Sequence, residues 1–328
     1  MNPGHERGPR IPFQPASRLP DAAFEILAPE GRELRLFSAC VEQLATGLQW
    51  AEGPVWFGDG RYLLFSDIPN DRILRWDDCN GAVGVFRQPS GNANGHARDL
   101  QGRLVSCEHL GRRITRTELN GRITVLADRF DGKPLNSPND ITCAPDGALW
   151  FTDPEFGISG DWEGAPAARE QPHGVYRIDP ATGELQRVID DLAAPNGLAF
   201  TPDGRRLLVV ESRAHPHRLI WSYAVDGARL SDKRLLIDAE GHGAFDGIAL
   251  DTRGRIWCGF GSDGQPGADA ESLDGVRVYA ADGTPLAHIH LPERCANLCF
   301  GGAKGNRLFM ASSHSLYALY VNARGAVL

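Results

Sequence analysis

A single unit recurs along this chain with a constant internal spacing, and nothing else in the sequence restricts the fold as much. Each copy opens on an acid or an amide, runs through a short apolar stretch, turns at glycine and returns as a second apolar stretch. Five copies are clear, opening at Glu52, Asn94, Asn139, Asn196 and Asp246. In each, the turn glycine stands eight positions further on, at Gly60, Gly102, Gly147, Gly204 and Gly254. A weaker sixth copy opens at Asn297. Pairs such as Asp146-Gly147 and Asp203-Gly204 are hairpin signals, because glycine accepts positive φ without strain. Each unit then adds an outer hairpin, as in Gly174 to Gly183 followed by Glu184 to Ile189. Four strands per unit and six units predict an all-β fold, a six-bladed β-propeller of four-stranded antiparallel blades. An outer strand precedes every opening residue. The stretch from Leu34 to Ala45 holds that place before Glu52, where no earlier blade exists, so this N-terminal strand is expected to complete the last blade and close the ring. Closure removes two open sheet edges. The tail from Ala326 to Leu328 competes for the same edge.

The remaining composition is consistent with one large domain. The chain has 328 residues, 42% of them hydrophobic, and no stretch with helical periodicity or linker character. Residues 1–23 read as an irregular N-terminal extension and 24–328 as a single propeller. The net charge of -8, with both signs mixed along the chain, argues against nucleic acid or an anionic membrane as a partner. The seven cysteines are an odd number without paired zinc-site spacing, and read as small buried hydrophobes in a reducing compartment. The segment from Met1 to Pro20 lacks the apolar run of a signal peptide. The expectation is therefore a cytoplasmic protein.

In a propeller the first strand of each blade lines the channel, so equivalent positions form a ring. Here the ring is Glu52, Asn94, Asn139, Asn196, Asp246 and Asn297. Turn chemistry accounts for Asn and Asp, but not for Glu52. Converging carboxylate and amide oxygens without a thiolate suit a hard divalent cation, Ca²⁺, Mg²⁺ or Mn²⁺, with Zn²⁺ less favoured. The same groups could instead hydrogen-bond one another as a polar plug.

The motifs around these positions carry a family resemblance. Ala51 to Trp56 (AEGPVW), Asn136 to Asp140 (NSPND), Trp150 to Pro154 (WFTDP), Pro195 to Ala199 (PNGLA) and Phe245 to Ala249 (FDGIA) resemble motifs of the gluconolactonase and regucalcin-like lactonase family. The resemblance runs from about Phe24 to the C-terminus. It implies a six-bladed propeller with one divalent cation in the channel, Ca²⁺ favoured, and hydrolysis of a sugar lactone. By resemblance Glu52, Asn196 and Asp246 match the metal-ligand positions, and Asn139 a further ligand or substrate-binding position. The regucalcin branch has an arginine two residues before that asparagine; Ser137 stands there in this chain, so that branch's substrate contacts do not transfer.

Lactone opening needs a polarised carbonyl and a nucleophilic water, which a metal can supply. Asp246, the ring's other acid and taken to face Glu52, is the candidate general base. Asn94, His96 and Glu108, with Arg98 and His109 beside them, are candidates for substrate contact at the ends of the second blade's inner strands. The segment from Glu155 to Pro172, with Trp162 and Glu163, is longer than ordinary connections and reads as a lid or a solvated loop. No Gly-x-Ser-x-Gly elbow supports a serine nucleophile. Two other readings share the scaffold, a metal-dependent esterase or organophosphatase and a non-catalytic binding propeller, since fold does not dictate function. A metal-independent propeller lyase is a third. Oligomeric state is not encoded in these patterns.

Overall fold

The computed structural model describes residues 18–326. Most of the extension expected over 1–23, and the tail residues 327 and 328, lie outside the described residues. Six antiparallel sheets follow one another around a channel. The first blade comprises Ala51–Phe57, Tyr62–Asp67, Arg72–Asp77 and Val83–Arg87, and the second Ala93–Arg98, Leu104–Glu108, Arg113–Thr117 and Ile123–Ala127. The third is Ile141–Cys143, Leu149–Asp153, Gly174–Ile178 and Leu185–Ile189, and the fourth Pro195–Phe200, Arg206–Glu211, Leu219–Asp226 and Arg229–Asp238. The fifth is Gly243–Leu250, Ile256–Ser262, Gly275–Tyr279 and Pro285–His290. The sixth combines Cys295–Gly301, Arg307–Ser312 and Ser315–Tyr320 with Glu42–Thr46 from the start of the chain. The expected closure is thus realised: Glu42 faces Ala318 and Thr46 faces Ser315. Of the tail, only Ala326 is among the described residues, and it lies away from that edge. Gly325 bridges to Asp251 and Ala326 donates to the Leu250 carbonyl, both in the fifth blade.

One N-terminal element was not legible. Before closing the ring, the chain lays Phe24–Ile26 against Pro285–His290, so the fifth blade carries a fifth strand.

Apolar packing lies between blades, not in the middle of the ring. Phe151 and Tyr176 of the third blade pack with Val105 and Ile114 of the second. Phe309 and Leu316 of the sixth pack with Leu63, Phe65 and Trp76 of the first, so the seam has the same core as the other joints. A blade is apolar on both faces and buries each against a neighbour, which leaves the innermost strands to line a channel with polar groups. Among the described residues no helix is long and apolar enough to cross a membrane.

Register irregularities mark the channel. The innermost strand slips between Glu52 and Val55, Ala93 and His96, Pro195 and Leu198, and Phe245 and Ile248. Such bulges re-aim side chains out of the sheet, and here they fall at the opening residue of the repeat or, after Glu52, directly behind it. Glycine follows the opening residue in four copies because the next blade is too close for a side chain. A Cβ on Gly197 would lie 2.4 Å from the Asp246 carbonyl oxygen.

Candidate functional site

The channel has a cavity at each end. One, of about 840 Å³, is lined by Glu52, Asn94, Asn139, Asn196 and Asp246. Five of the six predicted ring residues therefore meet at one mouth, each at most slightly exposed. Trp50, Phe156, Trp162, Glu163, Arg213 and Arg294 complete the walls. The other cavity, of about 700 Å³, is lined by His96, Arg98, Asp140 and Asn297 among others.

Asn297 is a correction to the ring. The sixth blade's bulge falls between Cys295 and Asn297, so Ala296 is the unpaired residue and Asn297 pairs with Ala311. That one-residue slip turns Asn297 inward, against Gly247, where a Cβ would meet its side chain at 2.2 Å. Its amide bonds Glu52 and reaches Asp140 Oδ2 at 3.4 Å. The facing of Glu52 and Asp246 is also corrected: their blades are the first and fifth, and Asn196 of the fourth blade stands across the ring from Glu52.

Asp140 is the site residue that sequence reasoning missed. It occupies the place that glycine holds in four other copies, and that departure was a readable signal. The result is three buried carboxylates around one channel segment, Glu52, Asp140 and Asp246. Burial, then repulsion from Asp246 and Asp140, holds the Glu52 carboxyl well above the usual range, against the Gly53 amide at 2.7 Å. Burial pushes Asp140 up to about 7, opposed by backbone amides of Ile141 and Leu198 and by the Asn297 amide. Asp246 is raised by burial and pulled back by Arg294, whose Nη2 lies 3.1 Å from Oδ2, and by the Asn196 amide. Arg294 is the single guanidinium contacting the group among the described residues. Crowded like charges in a low-dielectric channel are expensive unless paired, and the donors are all oxygen, so the residues fit a hard divalent cation.

The long connection after the third blade's second strand folds over this cavity. Ser137 anchors it: its hydroxyl donates to the Pro154 carbonyl and accepts from the Gly157 amide. Phe156, Trp162 and Glu163 are thereby brought to the cavity wall. Burial, then repulsion from Asp246, raises Glu163 to about 7. His109, pushed down to about 4 by burial, is neutral. It accepts from the Asn94 amide at 3.2 Å and donates through Nδ1 to the Glu163 carbonyl.

His96 and Glu108 are not brought to this mouth. The Ser66 hydroxyl proton goes to the Asn94 carbonyl, so His96 Nε2–H donates to Ser66 Oγ at 2.8 Å and Nδ1 accepts from Ser106 at 2.9 Å. Both nitrogens are satisfied and burial lowers the pKa to about 3, which makes His96 a neutral packing residue. Glu108 is fully buried and held by Arg87, Arg113 and Thr115. It is a structural ion-pair node. Arg98 lies at the opposite cavity, beside Phe57.

A family model described as the SMP-30/Gluconolactonase/LRE-like region matches residues 50–314. The chain belongs to this family. Within reach of it, the chain is 32% identical to a gluconolactonase of Zymomonas mobilis over 304 residues, covering 85% of this chain and 80% of that one. It is 28% identical to a pentonolactonase of Haloferax volcanii, covering 82% and 83%. A solved gluconolactonase from Xanthomonas campestris superposes with a TM-score of 0.83 at 37% identity, covering 95% of this chain and 98% of that one. The family match spans all six opening residues, and the cavity described above lies wholly within the matched residues.

Proposed function

We propose that this chain is a lactone hydrolase that opens a sugar lactone of the aldonolactone type to its aldonic acid, with Glu52, Asn139, Asn196 and Asp246 holding one divalent cation at the channel mouth. The observation that carries this reading is the set of buried oxygen donors lining one open cavity, Glu52 and Asp246 with Asn94, Asn139 and Asn196, where Arg294 on Asp246 is the single guanidinium contact to the carboxylates among the described residues. All-oxygen donors favour Ca²⁺, then Mg²⁺ or Mn²⁺, then Zn²⁺. When bound, such an ion polarises a carbonyl oxygen and lowers the pKa of a water. The relatives named for gluconolactone and pentonolactone narrow the carbonyl to that of a sugar lactone.

The chain's own residues supply the rest. Asp246 takes a proton from the attacking water as its oxygen adds to the carbonyl carbon. The ring C–O bond then breaks, and the same proton passes to the departing ring oxygen, leaving a hydroxy acid. Arg294 orients Asp246 and keeps it ionised. Asp246 is a weak base under these conditions and works through position. Asn94 and Asn139 present amides to sugar hydroxyls, and Trp50, Phe156 and Trp162 offer apolar faces to the ring. The segment 155–172 shields the mouth from bulk water. Buried reduced thiols at Cys107, Cys143, Cys258 and Cys295 support a cytoplasmic setting.

The test is proton release from a panel of δ- and γ-aldonolactones, with phenyl acetate and an organophosphate as controls, on metal-stripped and metal-restored protein. Metal-dependent release from aldonolactones is expected. No release from any lactone in metal-replete buffer overturns the reading, and release from phenyl acetate alone favours an esterase.

A further inference from the structure

A second cluster of ligating side chains lies on the outer rim of the fifth blade, away from the channel. It is built by strand register. His288 and His290 are two apart on Pro285–His290 and so share a face. Glu25, on the added N-terminal strand, is the direct cross-strand partner of His288. The three ligating atoms lie within 4.8 Å of one another. His290 Nε2 and Glu25 Oε2 are 2.8 Å apart, and the two imidazole centroids 3.9 Å.

His288 supplies the independent observation. It is 0% exposed, and neither ring nitrogen finds a hydrogen-bond partner. The backbone of Leu273 and Asp274 faces the ring and acts against the fall in its pKa. An unsatisfied buried imidazole is costly and rare. Burial, with His290 and Arg277 nearby, lowers its pKa to about 2, so it stays neutral, the form that binds metals. Arg277, the inner neighbour of His288, places one positive charge nearby, but its guanidinium is spread over the Phe260 ring. Glu25 and His290 are partly exposed, which gives an ion a way in.

We propose that Glu25, His288 and His290 form a second metal site, taking a borderline cation such as Zn²⁺ through two imidazoles and one carboxylate. The channel offers only oxygen, and this cluster offers nitrogen, so the two sites sort cations by softness. The ion ties the three-residue strand Phe24–Ile26 to the fifth blade, a pairing otherwise short for its position at a sheet edge.

The test uses the full chain, stripped of metal and held in saturating Ca²⁺, with Zn²⁺ titrated by calorimetry. Wild type and Glu52→Gln are expected to take up one equivalent of Zn²⁺ each. Glu25→Gln and His290→Gln, whose positions are partly exposed and should fold, are expected to lose that equivalent while keeping wild-type lactonase turnover. His288→Gln is expected to do the same where it folds. Uptake of Zn²⁺ by His290→Gln with wild-type stoichiometry and affinity, or no uptake by wild type, overturns the proposal.

Discussion

Replacing Asp140 by Asn tests the cost of burying a third carboxyl in the channel beside Glu52 and Asp246. Asp140 is buried and its carboxyl is raised from 3.8 to about 7, mainly by burial and partly by Asp246. A carboxylate raised in the folded state stabilises the fold only while protonated. Its contribution is intact below the unfolded pKa and is lost as pH rises through the folded one. Here that window runs from about pH 4 to pH 7. At 1.36 kcal/mol for each pKa unit, integration between pH 5 and pH 8 gives a loss of about 3 kcal/mol. Asn cannot ionise, so the metal-free variant should escape this loss. Its stability relative to wild type should improve by about 3 kcal/mol between pH 5 and pH 8, whatever its offset at pH 5. Urea unfolding in EDTA at both pH values measures the difference. Saturating Ca²⁺ should shrink it, because the cation offsets the same charges. A variant whose offset is identical at pH 5 and pH 8 would refute the claim that burial in the channel holds the Asp140 carboxyl raised.

Asp246→Asn should lower kcat by about a hundredfold or more, read by proton release at saturating Ca²⁺; full turnover with metal still bound would remove Asp246 as the base. Trp162→Ala should raise KM for an aldonolactone several-fold with little change in kcat, since Trp162 is about half exposed on the cavity wall and takes no part in proton transfer; an unchanged KM would place it outside the binding surface. His96→Ala leaves the buried Ser106 hydroxyl without its acceptor and Ser66 Oγ without the N–H it accepts, and should cost about 2 kcal/mol or more in urea unfolding, with KM unaltered; a changed KM at unchanged stability would restore His96 to the substrate.

The repeat made the ring legible because its spacing is a backbone property. An opening residue eight positions before a turn glycine must sit at the same depth in each blade, and five opening residues do line one cavity. What the spacing cannot report is local register. A bulge one residue earlier in the sixth blade was enough to send Asn297 to a different cavity. Nor does spacing report which end of a strand faces the mouth, so His96 and Glu108 looked available when each already had its partners. Arg294 and the Phe24–Ile26 strand act across long sequence separations and left no local pattern. Asp140 differs from these, because its signal was present as a breach of the repeat. Four copies place glycine after the opening residue, where the neighbouring blade leaves almost no room. A carboxylate there is hard to explain as packing: it is buried, raised to about 7 and repelled by its neighbours. Where a repeat protein keeps a position for steric reasons in most copies and places a charge there in one, the exception is the place to look for chemistry, and here it is a buried carboxyl coupled to Glu52 and Asp246.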